Sequence, residues 1–263
     1  MANTKKMKPE IDRAREKANS VHLDLEVRRL EDLADLESLC RSRGINVVFE
    51  KLGNLEGLML RKQRLIAVRD DIPQIGRTRF TIAHELGHWE LHPGLNQLQA
   101  CSASDIHGYR GSNAELEANA FAAEFLMPGF LFSSETKFLA PTIDSIKKLS
   151  NRFNTTLTAT AVRLCEFSSL PMFVCFSTNG RIKWYVRSKG AQYYRFASYG
   201  SELDGDTLAR YCTSGPEDPN EPEEVEPSAW FPEDGRNDEF KVLEESVIFA
   251  SYGVTMSIVT IDA

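Results

Sequence analysis

The segment RTRFTIAHELGHWELHP, residues 77–93, constrains the fold more than any other part of this sequence. It contains the pattern H-E-x-x-H, in which His84 and His88 are four residues apart and Glu85 follows the first histidine. On an α-helix, two residues four apart lie one above the other on the same face. The motif therefore predicts a helix whose two imidazoles face one point.

Two imidazoles at this spacing suit Zn²⁺, which binds histidine nitrogens at about 2.0–2.1 Å. Catalytic zinc sites keep one position for water, and the metal lowers the pKa of that water towards about 7. Glu85 stands beside the first ligand and is the candidate acid/base that takes a proton from the water and passes it to the leaving amine. The alternative is a structural helix whose histidines are merely packed or exposed.

A second apolar helix, NAELEANAFAAEFLMP, supplies candidates for a third ligand. At about 100° per residue, Glu115 and Asn119 share a sector that is otherwise apolar. Because an unpaired carboxylate is costly in apolar surroundings, Glu115 is the predicted third ligand. Asn119 is predicted to hydrogen-bond a ligating histidine and fix its orientation. Glu117 and Glu124 lie on the opposite side of the helix and are predicted to face solvent.

Two alternatives to this ligand set stay open. Glu115 can be explained as an acidic residue at a helix start, where the helix dipole favours negative charge. His92 lies four residues after His88 and is an alternative ligand, although Pro93 disfavours helical geometry at the residue before it.

The polar connection between the two helices offers donors for a developing oxyanion. Hydrogen-bond donors aimed at that charge stabilise the transition state of acyl transfer. An ordinary surface loop is the alternative interpretation of this connection. The candidate donors are His107, Tyr109 and Arg110.

The sequence before residue 168 mixes helices and strands. Residues 10–43 carry helical periodicity that ends at Gly44, and INVVFE then predicts a strand. LEGLMLRKQRLIAVRDD predicts a hairpin with a polar tip. Residues 143–168 predict two short helices joined by the turn-like NTT, which pack against the preceding helices or form a helix-turn-helix.

After a predicted domain boundary near residue 168, the pattern becomes β-rich. Asn179-Gly180 predicts a hairpin turn, and GVTMSIVTID predicts a strand near the end of the chain. Residues 213–239 contain five of the eleven prolines and ten acidic residues, which predicts a solvated loop or insertion rather than core. The fold class is therefore α+β, with residues 1–168 as one domain and residues 169–263 as a smaller β-rich domain.

Charge and composition narrow the function classes. A formal net charge of −7 disfavours a general nucleic-acid binder, including direct DNA binding by residues 143–165. The five cysteines are scattered with no C-x-x-C pair, which favours reduced thiols in the cytosol. The N-terminus has no apolar core of a secretory signal, and no apolar run is long enough to span a membrane. A cytoplasmic protein is the prediction.

Taken together, RTRFTIAHELGHWELH and ELEANAFAAEFLMP resemble the ImmA/IrrE family of zinc metallopeptidases. The resemblance extends to INVVFEKLGNLEGLML upstream and IKKLSNRFNTTLTATAVRL downstream, and so covers about residues 10–168. It implies a zincin-like minimal peptidase core with His84, His88 and Glu115 as zinc ligands and Glu85 as the acid/base.

The same resemblance implies a class of partner. In this family the substrate is often a helix-turn-helix repressor of the Xre type, whose cleavage releases a stress, phage or mobile-element response. Some members carry a C-terminal sensory module that resembles a GAF domain, and residues 169–263 are the candidate for such a module.

The predicted function is thus a zinc-dependent endopeptidase that hydrolyses a peptide bond in a protein partner. Mn²⁺ or Fe²⁺ are alternatives to Zn²⁺, since a His/His/Glu site accepts several divalent ions. The alternative function is a non-catalytic, metal-containing regulator that binds a transcription factor without cutting it. An intact Glu85 weighs against that alternative, because a purely structural zinc needs no acid/base neighbour and closes its positions with protein ligands.

Overall fold

The chain forms two compact units in a computed structural model that describes residues 10–94, 99–102, 112–235 and 239–262. One unit comprises Met1–Ser134 with Asn151–Thr156, and the other comprises Glu135–Ser150 with Leu157–Ala263. Each unit contains its own sheet together with helices, which confirms the predicted α+β class. Among the described residues, no helix combines the length and apolarity that a membrane crossing requires.

Helices and strands are mixed up to Phe167, and most of the elements after it are strands. The helices are α1 (Ile11–Asp24), α2 (Leu36–Ser42), α3 (Ile75–Leu91), α4 (Asn113–Leu126), α5 (Gly129–Thr136), α6 (Ile143–Phe153), α7 (Leu157–Phe167), α8 (Leu208–Tyr211) and α9 (Pro227–Trp230). The strands are β1 (Asn46–Glu50), β2 (Leu55–Leu60), β3 (Leu65–Arg69), β4 (Gln99–Ser102), β5 (Met172–Thr178), β6 (Arg181–Arg187), β7 (Glu223–Val225), β8 (Lys241–Phe249) and β9 (Val254–Asp262).

The sheet of the first unit has the strand order β1-β3-β2-β4. The predicted hairpin is present as the antiparallel pair β2 and β3, and β1 runs parallel to β3. Gly44 ends the helical region with a positive φ of 74°, a conformation that glycine adopts without strain. The chain then enters β1, as the β-branched sequence predicts.

Three helices, α1, α3 and α4, pack together in this unit, and α4 contacts both of the others. Gly87 on α3 permits close packing, because a Cβ there would stand 3.2 Å from the carbonyl oxygen of Ala118 and 3.1 Å from a ring carbon of Phe121. The residues of α4 from Phe121 to Leu126 are accordingly buried. The missing side chain of Gly87 therefore permits the close approach of α4 to α3.

The second unit contains an antiparallel sheet of order β6-β5-β9-β8-β7. The predicted hairpin joins β5 to β6, and Asn179 and Gly180 both have positive φ, 51° and 68°, as a two-residue hairpin turn requires. The predicted C-terminal strand is β9, which pairs with β5 and β8.

The prediction for residues 213–239 was wrong in part. Trp230 and Phe231 from this segment are fully buried in the core of the second unit, where they pack with Phe173 and Phe196. The prediction rested on the number of prolines and acidic residues in the segment and did not take these two aromatic side chains into account. The described part of the segment is therefore anchored by its aromatic residues.

The division into units differs from the boundary predicted near residue 168. The backbone N–H of Ile143, at the start of α6, donates to Glu245 Oε2 on β8 at 2.7 Å. The thiol of Cys165 on α7 lies 3.7 Å from the carbonyl oxygen of Met172 on β5. These contacts group most of the helical segment 143–168 with the sheet that follows it rather than with the motif-bearing helices.

Candidate metal centre

Helix α3 carries the H-E-x-x-H motif through the interior of the first unit. Nearly every residue from Gly76 to His88 is buried, so the histidines have little contact with solvent. The helix ends at Leu91, and His92 already has the non-helical angles φ −121° and ψ 58°. The effect predicted for Pro93 on the preceding residue is therefore observed.

Helix α4 brings a carboxylate to the two imidazoles. Its first turn is capped by Ser112, whose side chain accepts the backbone N–H of Glu115. Glu115 Oε2 lies 3.2 Å from His84 Nε2, and Glu115 Oε1 lies 3.5 Å from His88 Nε2. The two Nε2 atoms are 3.0 Å apart.

These three separations fit a single metal ion. Ligands bound tetrahedrally at about 2.0–2.1 Å stand about 3.3 Å from one another, and the observed values of 3.0, 3.2 and 3.5 Å bracket that spacing. Within the described part of the chain, His84, His88 and Glu115 form a group whose ligand atoms all lie within 4.8 Å of one another. Two imidazole nitrogens and one carboxylate are also the donor types that Zn²⁺ prefers, so the cluster can hold a divalent metal.

The electrostatics keep Glu115 and His88 in the protonation states that metal binding needs. For His84, burial lowers the pKa, but the hydrogen bond with Glu115 and the charge of Glu85 outweigh burial and raise it. Burial raises the pKa of Glu115, but its contacts with the imidazoles of His84 and His88 outweigh burial and hold that pKa well below its usual range. Burial lowers the pKa of His88 to about 4, against the opposing effect of Glu115. At neutral pH the cluster therefore presents an ionised carboxylate and a neutral His88.

Asn119 contacts the side of His84 that faces away from the cluster. Its Oδ1 lies 2.9 Å from His84 Nδ1, and both side chains are buried. A histidine that ligates through Nε2 carries its proton on Nδ1 and donates it to such an acceptor. The contact predicted between Asn119 and a motif histidine is present.

Glu85 is fully buried next to His84 and lies against strand β2. A Cβ placed on Gly57 would stand 2.7 Å from Glu85 Oε1 and 2.6 Å from Thr81 Cγ2, so the missing side chain of Gly57 provides the space for this carboxylate. No signal in the local sequence marks Gly57, because its role depends on the packing of β2 against α3.

The solvent-facing assignment of Glu117 and Glu124 was wrong. Glu117 Oε2 lies 3.0 Å from His92 Nε2, and Glu117 Oε1 accepts the backbone N–H of Glu10 at 2.9 Å. Glu124 is buried and accepts the backbone N–H of Gly129. A helical wheel treats α4 alone, whereas in the structure the residues next to α1 and α3 contact Glu117.

His92 does not join the ligand cluster. Its Nδ1 lies 3.1 Å from His88 Nδ1, and its Nε2 contacts Glu117. Both ring nitrogens of His92 therefore make contacts on the side of His88 that faces away from the ligand cluster. The alternative with three histidine ligands therefore has no support in this geometry.

Arg61, at the tip of the β2–β3 hairpin, is a residue that the sequence did not single out. Its guanidinium donates to the carbonyl oxygens of His88, Trp89 and His92 at 2.8, 3.2 and 3.2 Å. It also stacks over the Trp89 ring at 4.7 Å. A cation on the last carbonyls of a helix satisfies their hydrogen bonds and the helix dipole, and so fixes the end of α3.

The three candidate donors to an oxyanion lie outside the described residues. His107, Tyr109 and Arg110 fall between the described segments 99–102 and 112–235. Their assignment stays a prediction.

A protein-family profile matches the part of the chain that carries this site. The profile of the IrrE N-terminal-like domain, Peptidase_M78, matches residues 40–165. This range includes the three motif residues His84, Glu85 and His88 as well as Glu115. Residues 40–165 are similar to an IrrE N-terminal-like domain. The predicted resemblance is thereby confirmed for residues 40–165, just under half of the chain.

A phage protein and a solved structure are similar to this chain. The sequence is 33% identical over 90 residues to "Uncharacterized immunity region protein 2" of Bacillus phage phi105, an alignment that covers 33% of this chain and 51% of the relative. The chain thus aligns with about half the length of that curated relative. A solved structure described as "Mycobacterium tuberculosis transcriptional regulator" superposes with a TM-score of 0.64 at 17% identity, covering 95% of this chain and 76% of the other. At that identity the likeness supports the fold.

Proposed function

We propose that this protein is a zinc-dependent endopeptidase that cuts a protein partner, and that the partner is a helix-turn-helix repressor of the Xre type. The observation that carries the proposal is the convergence of two imidazoles from α3 and one carboxylate from α4 beside the buried Glu85. The IrrE-like domain supports peptidase chemistry, and the phage immunity-region relative supports a repressor as the partner.

In this proposal each side chain has one role. His84, His88 and Glu115 hold the ion, and Asn119 orients the ring of His84. When bound, zinc polarises the scissile carbonyl and lowers the pKa of water. Glu85 takes the proton of the attacking water and hands it to the leaving amine, which is the work of a general acid/base.

The proposed setting is the cytoplasm, where cutting one repressor would release its target genes in a stress, phage or mobile-element response. Cys40, Cys165, Cys175 and Cys212 are free thiols, which agrees with a reducing compartment. A sensory role for residues 169–263 belongs to the same proposal.

The test compares the zinc-loaded protein with its Glu85→Gln variant. Each is added to a lysate of the source cells, and newly formed protein N-termini are identified by mass spectrometry. The proposal expects new N-termini in a repressor only with the parent protein, while both proteins retain zinc. Equal cleavage by Glu85→Gln would remove Glu85 from the chemistry. Repressor binding without cleavage would favour the non-catalytic regulator.

A further inference from the structure

A chain of hydrogen bonds leads outward from His88 to helix α1. His88 Nδ1 lies 3.1 Å from His92 Nδ1, and His92 Nε2 lies 3.0 Å from Glu117 Oε2. The other oxygen of Glu117 accepts the backbone N–H of Glu10 at 2.9 Å. The chain thus connects α3, α4 and the start of α1.

The number of protons on the two imidazoles determines which group donates in each of these hydrogen bonds. If a neutral His92 donated from Nδ1 to His88, its Nε2 would present a lone pair to the carboxylate of Glu117 at 3.0 Å, and two acceptors would face each other. With a neutral His92, the favourable order therefore has His88 Nδ1–H donating to His92, and His92 Nε2–H donating to Glu117. In that order His88 Nε2 carries no proton and is available as a metal ligand.

The surroundings hold this arrangement in place. The side chains of His92 and Glu117 are only 10% and 18% exposed, so water competes weakly for their hydrogen bonds. The backbone of His92 is fixed at both ends, since its N–H donates to the carbonyl of His88 and its own carbonyl accepts from Arg61.

We propose that His92 and Glu117 are positioning residues, which hold His88 in the tautomer and orientation that bind the metal through Nε2. This inference rests on the proposed metal site, and it assigns His92 a role other than the ligand role. Partners of this outer kind typically change metal affinity by about 10–100-fold when they are removed. Asn119 has the equivalent position on His84.

The test measures Zn²⁺ affinity by chelator competition on the full chain. His92→Phe keeps a ring of similar size without its nitrogens, and Glu117→Gln removes the charge with little change of shape. Each variant is expected to bind Zn²⁺ about 10–100-fold more weakly than the parent protein. Because the two residues act in series, the double variant is expected to bind about as weakly as His92→Phe alone.

Glu124→Gln is the matched control, since Glu124 is a buried glutamate on the same helix that also accepts a backbone N–H. It is expected to bind Zn²⁺ like the parent protein. If His92→Phe does not fold, Glu117→Gln carries the test.

A spectroscopic readout separates positioning from general structural damage. In the Co²⁺-loaded protein, proton NMR should show two shifted, exchangeable imidazole N–H signals, one from His84 and one from His88. His92→Phe should shift or broaden the His88 signal and leave the His84 signal in place. Parental Zn²⁺ affinity in both single variants, or an unchanged His88 signal, would overturn the proposal.

These readouts do not depend on proteolysis. If the parent protein binds Zn²⁺ and cuts nothing, the peptidase proposal fails while the positioning role is still measured. If the parent protein cuts its substrate and the variants keep full affinity, the positioning role alone fails. A parent protein that binds no Zn²⁺ would overturn both.

Discussion

A Cβ atom on Gly57 would stand 2.7 Å from Oε1 of Glu85, closer than such atoms approach in real structures. Strand β2 therefore leaves room for the proposed acid/base by lacking a side chain at this position. Gly57 itself contributes no chemical group, but it determines where the carboxylate of Glu85 can lie.

Gly57→Ala is expected to displace Glu85 and lower the rate of substrate cleavage by about 100-fold, because misplacing a catalytic group by about 1 Å has effects of that size. Zinc content, measured by mass spectrometry, should stay near one ion per chain, since the ligands lie on α3 and α4. Gly94→Ala is the control, because a Cβ there meets no atom within 4 Å. Parental activity in Gly57→Ala would show that Glu85 is not held in this way.

Asn119→Ala should weaken Zn²⁺ binding by about 10–100-fold, because His84 would lose the acceptor that fixes its ring. Asn119→Asp retains an acceptor oxygen at that position and should restore most of the affinity. Chelator competition measures both values. Equal affinities in the parent protein and Asn119→Ala would contradict the orienting role of Asn119.

Glu245 in the second unit should make stability depend on pH. Burial and, to a smaller extent, the charge of Asp144 outweigh the hydrogen bond from Ile143 N–H and raise its pKa from an ordinary value of 4.5 to about 7. A carboxyl group with a raised pKa binds more protons in the folded state. The free energy of unfolding should therefore fall as the pH rises from about 4.5 to about 7.

Glu245→Gln removes this titration and keeps an acceptor for Ile143, so its unfolding free energy should vary less over the same pH range. Urea denaturation at a series of pH values measures the difference. Glu233→Gln, at an exposed glutamate, is the control and should follow the parent protein. A parental pH profile in Glu245→Gln would refute the assignment.

Trp230→Ala should destabilise the second unit by about 3–5 kcal/mol, because the side chain is fully buried among aromatic rings. Trp230→Phe should lose less, about 1–3 kcal/mol, since its main deficit is the indole N–H that donates to Glu244 Oε2 at 2.7 Å. Denaturant unfolding measures both. Tyr211→Ala, at a side chain that is 71% exposed, should stay within about 0.5 kcal/mol of the parent. A similarly small loss in Trp230→Ala would mean that residues 213–239 are a loose insertion after all.

Local spacing was enough to find most of the candidate site. The distance between His84 and His88 is set by one turn of helix, and the wheel of α4 identified Glu115 and Asn119 because both are polar residues in an apolar sector. Such reasoning needs only the geometry of a single helix. The three candidate ligands come together in the structure accordingly.

The features that sequence reasoning missed depend on contacts between distant elements. Glu117 was assigned to solvent because the wheel contains no information about α1, which packs on that side. Gly57 and Arg61 lie on the β2–β3 hairpin, and their roles appear only when that hairpin packs on α3. In residues 213–239 the average composition concealed Trp230, whose burial depends on a sheet formed by other parts of the chain.

The central claim is that one metal ion lies between α3 and α4. Crystals of the zinc-loaded protein, measured on both sides of the zinc absorption edge, test this claim directly. The account predicts a single anomalous peak about 2.0–2.2 Å from Nε2 of His84, Nε2 of His88 and a carboxylate oxygen of Glu115. An anomalous peak elsewhere, or density at these residues with Glu115 turned away from both imidazoles, would contradict it.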